Sequence, residues 1–448
     1  MIRLTQRALS ALCAVLALAS STTAQPALNV TDVFVGNQGR PASLTAYRPG
    51  ETTATQLFTN QISGFLQGTE LMNGRLYVTG NGTRIDVVDP ATRTRVAQIT
   101  DAAFSAARYF AQATPTKAYV TTQNYASGAS SSDVVVLDLA NNTVAGRITV
   151  PLQPEGIAVS GGRAFVALGA FSGRPALAVI DVATDAVAGE VSIGCNARFV
   201  LADDDGEIHA VCNSTGEVVV VNAASLEVVR RVAVGQTVGS AFGIGQDAVL
   251  VAANPSAGTP ERLLLATSTG VVFVSTDADA VGPTVTIAEA STRPVSALAF
   301  DSSTDRLYLG RPDASGPFSA AGTLTVHEAG GALVRTLTAG VFPSHITLVG
   351  TAAVSTERGP LAGALRLGDA FPNPARAGAT LPLSLGAPAD VRVVVFDALG
   401  REVATWQASL GAGVQALPLP LSGLRAGLYV VRVEAGGEVG TARVTVAR

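Results

Sequence analysis

One unit recurs along most of this chain, and a repeat of its length leaves few folds open. The unit has a Gly-containing turn, an aromatic and β-branched strand, a variable loop, a second strand ending in an acid or amide, a short turn, and a third strand ending in an aliphatic pair. Its clearest stretch reads Val88-Asp89-Pro90-Ala91-Thr92, Leu137-Asp138-Leu139-Ala140-Asn141, Ile180-Asp181-Val182-Ala183-Thr184 and Val221-Asn222-Ala223-Ala224-Ser225. Strands opening at Val96, Val144, Val187 and Val228 follow. An Asp or Asn in that slot accepts hydrogen bonds from backbone two residues on and so fixes a turn. The same acid in successive repeats therefore points to scaffold, not catalysis.

The strands before these slots include Leu76-Tyr77-Val78, Ala118-Tyr119-Val120, Ala164-Phe165-Val166, Ile208 to Val211, Val249-Leu250-Val251 and Leu307-Tyr308-Leu309. They alternate or run apolar over a few residues, as buried strands do. The end-of-strand slots fall at 89, 138, 181, 222, about 276 and 327, so the repeat is roughly 40 to 55 residues long. That is the period of a four-stranded propeller blade. Asp32 to Val35, Ser43 to Tyr47 and Thr55 to Phe58 form the last three strands of a blade without its first, and His345 to Val349 supplies the missing one. Pairing the two ends removes exposed strand edges. The expectation is an all-β chain: a seven-bladed β-propeller over 25–350, closed by its N- and C-terminal strands, then a linker at 351–363 and a small Ig-like β-sandwich over 364–448.

Over about residues 28 to 350, the Tyr77-Val78-Thr79 and Tyr119-Val120-Thr121 strands, with the Val-Val-Asp and Ile-Asp-Val-Ala-Thr turns, resemble the YVTN-type propeller repeats of bacterial and archaeal surface proteins. The resemblance implies a fold; propellers of this kind include surface-layer and adhesion-like proteins and some enzymes, so it does not imply a chemistry.

The two ends of the chain speak to its route. Residues 1–24 read as a signal peptide, with Arg3 and Arg7 ahead of an apolar stretch from Ala8 to Ala19 and a Thr22-Thr23-Ala24 cleavage site,. The stretch is too short to span a bilayer, and no later run reaches that length, so no transmembrane segment is expected. Near the C-terminus stand Phe371-Pro372-Asn373-Pro374, then Val391 to Val403 with a hairpin turn from Asp397 to Gly400 before Arg401, then Gly423 to Val433 with Gly427 entering a strand that carries Tyr429,. In that order, with the closing Ala442 to Val446, they are similar to the type A C-terminal sorting domain of type IX secretion, although Phe371 stands where Tyr is frequent. The resemblance implies passage through the periplasm, recognition by the type IX secretion machinery at the outer membrane, and release or attachment at the cell surface.

Formal net charge is -4, Lys117 is the only lysine and the arginines are scattered, so nucleic acid is not an expected partner,. Cys13 leaves with the signal. Cys195 and Cys212 remain on neighbouring strands, where an exported chain can bond them or keep two buried thiols,.

Chemistry is sparse. His209, His327 and His345 have no partners at metal-ligand spacing, and Asp203-Asp204-Asp205-Gly206 lacks the alternation of a calcium loop and reads as a solvated hairpin turn,. No metal and no cofactor are expected. Loops joining second and third strands share one face of a propeller with the starts of the first strands; Thr122 to Ser132, Gly169 to Pro175, Asn254 to Thr269 and Arg311 to Gly322 are assigned to that class,. Aligned first-strand starts put Arg108, Glu155, Arg198 and His345 at the channel mouth, beside Tyr125 and Phe171. The cluster either holds an anionic ligand such as a carboxylate or sugar acid, or pairs internally through Glu155. The functional expectation is a secreted or cell-surface, non-enzymatic protein whose loops meet a glycan, peptide or envelope partner. The alternatives are a lactonase-like hydrolase or quinoprotein-like oxidoreductase, and a structural envelope component.

Overall fold

In the computed structural model the acid and amide slots are turns, and their side chains make them. Asp89 accepts from the backbone N–H of Ala91 and Thr92, Asp138 from Ala140 and Asn141, Asp181 from Ala183 and Thr184, and Asn222 from Ala224 and Ser225. The next residue in each case, Arg93, Asn142, Asp185 or Leu226, has a positive φ. A β-bulge follows between third and fourth strands, at Val87/Val88, Val136/Leu137, Val179/Ile180 and Val220/Val221. Such bulges bend an edge strand away from foreign pairing.

The structure describes residues 28–352 and 366–447, apart from short stretches that include 128, 169–172, 204, 240–244, 253–260, 277–279, 368–374 and 398–399. The expected signal peptide with Cys13, most of the expected linker, Phe171 and Pro372-Asn373-Pro374 lie outside the described residues. Two units divide the chain, Met1–Ala353 and Val354–Arg448. A 3-10 turn at Ala102–Ala106 interrupts an otherwise all-β succession among the described residues, and no helix there is long and apolar enough to cross a membrane.

In the first unit the described residues form seven four-stranded antiparallel sheets, consistent with a β-propeller. Six are meanders in sequence order, exemplified by Leu66–Met72, Arg75–Gly80, Arg84–Asp89 and Thr94–Thr100. The seventh is assembled from both ends: Pro343–Ala352 pairs with Leu28–Asn37, which continues into Ser43–Tyr47 and Thr55–Leu57. Its register sets Val33 opposite Leu348 and Val35 opposite Ile346. Backbone bonds from Gln38 N to Phe342 O and Gly39 N to Val341 O, both 2.8 Å, extend the junction.

First strands of successive sheets lie side by side, and the series returns on itself, with Ala297–Asp301 against Pro343–Ala352 and Pro343–Ala352 against Leu66–Met72. Glycine permits the closest approaches. A Cβ on Gly68 would stand 2.3 Å from the Arg108 carbonyl oxygen, and one on Gly156 would stand 2.7 Å from that of Arg198. Between the sheets, apolar side chains interlock: Tyr77, Val87, Phe110 and Val135 form one such core, and Phe165, Val179, Ile208 and Val219 another. Second and third strands are buried on both faces, whereas fourth strands such as Thr94–Thr100 alternate between solvent and core.

Two expectations need correction. In the fifth meander the strand containing Val249-Leu250-Val251 is the first, not the second; the order runs Ala248–Val251, Arg262–Ala266, Gly270–Ser275 and Val285–Thr286. The 254–269 stretch therefore holds a first-to-second connection, the second strand and part of a tight turn, not a second-to-third loop. A strand buried on both faces shows the same apolar run in either position, so the sequence offered no way to tell them apart. In the sixth meander Glu328 ends the third strand, while His327 lies inside it, buried, with Nδ1 2.9 Å from the Gly331 carbonyl oxygen.

The second unit has two antiparallel sheets. One joins Arg366–Leu367, Gly378–Leu385 and Gly413–Pro420; the other runs in spatial order Glu402–Leu410, Ala389–Asp397, Gly427–Ala435 and Glu438–Val446. Leu381, Leu383, Leu417 and Leu419 meet Val391, Val393, Val431 and Val433 in one core. Asp397 caps its hairpin by accepting from Arg401 N at 3.0 Å, with Gly400 at φ 75, and pairs with the Arg401 guanidinium. Tyr429 donates to the Arg425 carbonyl at 2.8 Å, just after the Gly427 strand begins.

Candidate binding site

The starts of the first strands converge on charge. Arg108 donates from Nε and Nη2 to the two carboxylate oxygens of Glu155, each at 3.1 Å, and from Nη1 to Gln67. Arg198 Nε lies 3.9 Å from Glu155 Oε2, the oxygen that Arg108 Nη2 also reaches, and Arg198 donates to Asp247 at 2.9 Å, to the Gly245 carbonyl at 2.8 Å and to the Tyr109 hydroxyl at 3.2 Å. All four charged side chains are buried, Glu155 and Asp247 completely. Two cations face two anions, so the cluster balances itself. Burial works against the Arg108 charge, yet the Glu155 carboxylate together with the Tyr109 and Tyr125 side chains outweighs it, and the guanidinium holds its proton more firmly than usual,.

His345 belongs to the same centre. Its Nδ1 is 2.9 Å from the Ser344 hydroxyl, which donates to the Gly36 carbonyl at 3.2 Å, while its buried Nε2 has no hydrogen-bond partner among the described residues. Burial first, and then the charges of Arg198 and Arg108, push its pKa down to about 3, so it is neutral at neutral pH and adds no positive charge. With Gly68, Arg108, Gly156 and Gln246 it lines a cavity of about 20 Å³, enough for about one water molecule,.

The network reaches the surface along one line. Glu155 also accepts from the Gln123 amide, and the Gln123 carbonyl oxygen accepts the Tyr125 hydroxyl. The Tyr125 side chain is otherwise open, 65% of the residue being exposed. Burial of the hydroxyl end raises its pKa. Asn124, the residue before Tyr125 in the chain, borders a polar groove of about 330 Å³ that is also lined by Ala102, Thr122, Gln123, Ser131, Ser132, Asp133 and Arg147. Its walls are held internally: Thr122 donates to the Asp133 carbonyl at 2.8 Å, and Ser132 Oγ accepts from Asn124 N at 3.1 Å and Gln153 N at 3.2 Å. Arg147 is paired with Asp101.

The structure thus brings Arg108, Glu155, Arg198 and His345 together and attaches Tyr125 to them. Sequence reasoning missed Asp247, Gln67, Gln123 and Tyr109. Asp247 stands just ahead of its first strand as Glu155 does, and the correct phase of the fifth meander would have found it. Cys195 and Cys212 face each other with Cα atoms 5.9 Å apart, within disulfide range,. Asp203 was expected in a solvated turn, but its side chain is buried, accepting from Asp205 N, Glu207 N and the His209 ring at 3.0, 2.7 and 2.9 Å.

The family model described as Domain of unknown function (DUF5074) matches residues 34–337, and the one described as Secretion system C-terminal sorting domain matches residues 369–447. No curated protein matches the sequence. Among solved structures, the chain is similar to a protein of unknown function from Bacteroides caccae, at 12% identity and TM-score 0.41 over 72% of this chain and 99% of that one. It is also similar to dihydro-heme d1 dehydrogenase NirN in complex with DHE, at 11% and 0.46 over 86% and 75%, and to hydrazine synthase of Kuenenia stuttgartiensis, at 16% and 0.42 over 64% and 95%. The C-terminal match marks a protein exported by type IX secretion to the cell surface or extracellular space, and the module engages that machinery.

Proposed function

Because the chain belongs to the family described as Domain of unknown function (DUF5074), whose description assigns no activity, we propose its role from its own residues: a non-enzymatic binding protein, displayed outside the cell on a seven-bladed β-propeller. Its blades are the seven four-stranded sheets, with the last closed by both ends of the 25–350 domain. The first 24 residues serve as signal peptide, 351–363 as linker, and 364–448 as an Ig-like sorting sandwich. The Tyr429 hydroxyl bonded to backbone upstream is a feature of such sandwiches and supports that reading,. The YVTN-like strands are the second strands of two blades.

One observation carries the binding role. The carboxylates best placed to hold a metal or act as a base at the ring centre, Glu155 and Asp247, are buried against Arg108 and Arg198. Neither carboxylate can turn to a metal or a substrate without stranding a buried guanidinium. The second-to-third-strand face remains, with Tyr125 and the polar groove as its recognition elements, for a glycan, peptide or envelope partner. The test is a glycan, peptide and small-molecule array on the exported chain, with elemental analysis and a hydrolase and dehydrogenase screen on the same preparation. Saturable binding without turnover is expected; turnover with a stoichiometric metal or redox chromophore overturns the reading.

A further inference from the structure

We infer that the groove bordered by Asn124, next to Tyr125 in the chain, is a carbohydrate subsite that takes neutral, polyhydroxylated sugar rings. The inference deepens the binding role proposed above and rests on it. Three observations converge on this chemistry.

First, the groove is rich in hydrogen-bond acceptors, an acidic side chain among them, and has no unpaired cation among the described residues. Asp133 receives only the Thr149 hydroxyl, at 3.4 Å, on its carboxylate among the described residues. Hydroxyls and amides of Thr122, Asn124, Ser131 and Ser132 complete the lining. The one cation there, Arg147, already faces Asp101, so the groove has no charge to offer an acidic ligand. A ligand that mostly donates, as sugar hydroxyls can, satisfies such a wall.

Second, Tyr125 follows the lining residue Asn124 directly and exposes its ring while its hydroxyl is bound. An exposed aromatic face, apolar on its surface and fixed at its polar tip, suits the C–H face of a pyranose. Third, the ring is fixed in advance. Tyr125 is tied to Gln123, Gln123 to Glu155, and Glu155 to Arg108, so the platform is rooted in the buried centre and loses little freedom when a ligand arrives,. Asn124 steadies the same loop by accepting from Ala126 N at 3.1 Å and donating to the Ser131 carbonyl at 3.2 Å.

The experiment uses the exported chain, an array of neutral and acidic oligosaccharides and of peptides, and calorimetric titration with linear neutral hexasaccharides of glucose, mannose, xylose and galactose. Neutral sugars are expected to bind. Tyr125→Ala weakens binding by about tenfold or more, Asp133→Asn weakens it severalfold, and Tyr125→Phe, which keeps the ring and cuts its tether, falls between wild type and Tyr125→Ala. Val334→Thr, on an exposed fourth strand, leaves binding unchanged. Thermal melts of each variant separate lost folding from lost contact. Sugar binding that ignores both Tyr125→Ala and Asp133→Asn overturns the subsite and leaves the binding role standing. Binding confined to acidic sugars or to peptides overturns the ligand class, and a chain that binds nothing on the array overturns both readings.

Discussion

Arg108, in the first strand of one sheet, and Glu155, just ahead of the first strand of the next, meet through two parallel 3.1 Å hydrogen bonds, with the Arg108 side chain 9% exposed and that of Glu155 not at all. Glu155 is also the point at which Gln123 and Arg198 attach, so one carboxylate organises a centre drawn from separate repeats. The same pair that joins two sheets also anchors the surface tyrosine.

Removing that carboxylate charge should be costly. Glu155→Gln leaves Arg108 without its counter-ion, and loss of about 3 to 5 kcal/mol is expected, as for other buried pairs broken on one side. Replacing both partners, Arg108→Met with Glu155→Leu, should cost less than Glu155→Gln alone. Urea unfolding followed by tryptophan-independent far-UV dichroism measures both; a single variant as stable as the parent would show that the pair does not hold the sheets together.

Acid should weaken the first unit in a window set by His345. Its folded pKa is pushed down to about 3, below the ordinary value of 6.5, so between those limits the unfolded chain binds a proton that the folded one refuses. Stability therefore rises with pH through the window and is lost as pH falls from about 6.5, at up to about 1.4 kcal/mol per pH unit. His327, also shifted downward by burial, acts in the same direction. His345→Asn should flatten the slope of unfolding free energy between pH 6.5 and 4.5, and an unchanged slope would place the acid sensitivity elsewhere.

Cys195 and Cys212, 17 residues apart in sequence, are expected to be bonded in the exported protein,. Alkylation of unfolded, unreduced protein should label neither, and Cys195→Ala with Cys212→Ala should lower stability by about 3 kcal/mol. Two alkylated cysteines would establish a pair of buried thiols instead.

Export should depend on the C-terminal module. In a host with type IX secretion, a chain ending at residue 363 should accumulate in the periplasm while the full chain reaches the surface or medium, read by fractionation. Equal secretion of both would detach the sorting role from residues 364–448.

The repeat itself was legible because its signals are local. A turn-fixing Asp or Asn, the strand of Tyr and Val before it and the spacing between slots each depend on a few consecutive residues, and Asp89, Asp138, Asp181 and Asn222 do form those turns. The joining of both ends followed from one strand lacking at one end and one in excess at the other. The phase of the fifth meander was not legible, because Val249 to Val251 is equally apolar as a first or second strand, and with it went the position of Asp247.

Local sequence was therefore enough to determine an all-β repeat, its period, its turns and its C-terminal module. Only the tertiary structure decided that Arg108 and Arg198 spend their charge on Glu155 and Asp247, and that Tyr125 is moored to that pair. These partners stand 47 to 49 residues apart in sequence, as Arg108–Glu155 and Arg198–Asp247 do. No local preference encodes such meetings; they arise when whole sheets pack side by side and leave buried charges no water to turn to.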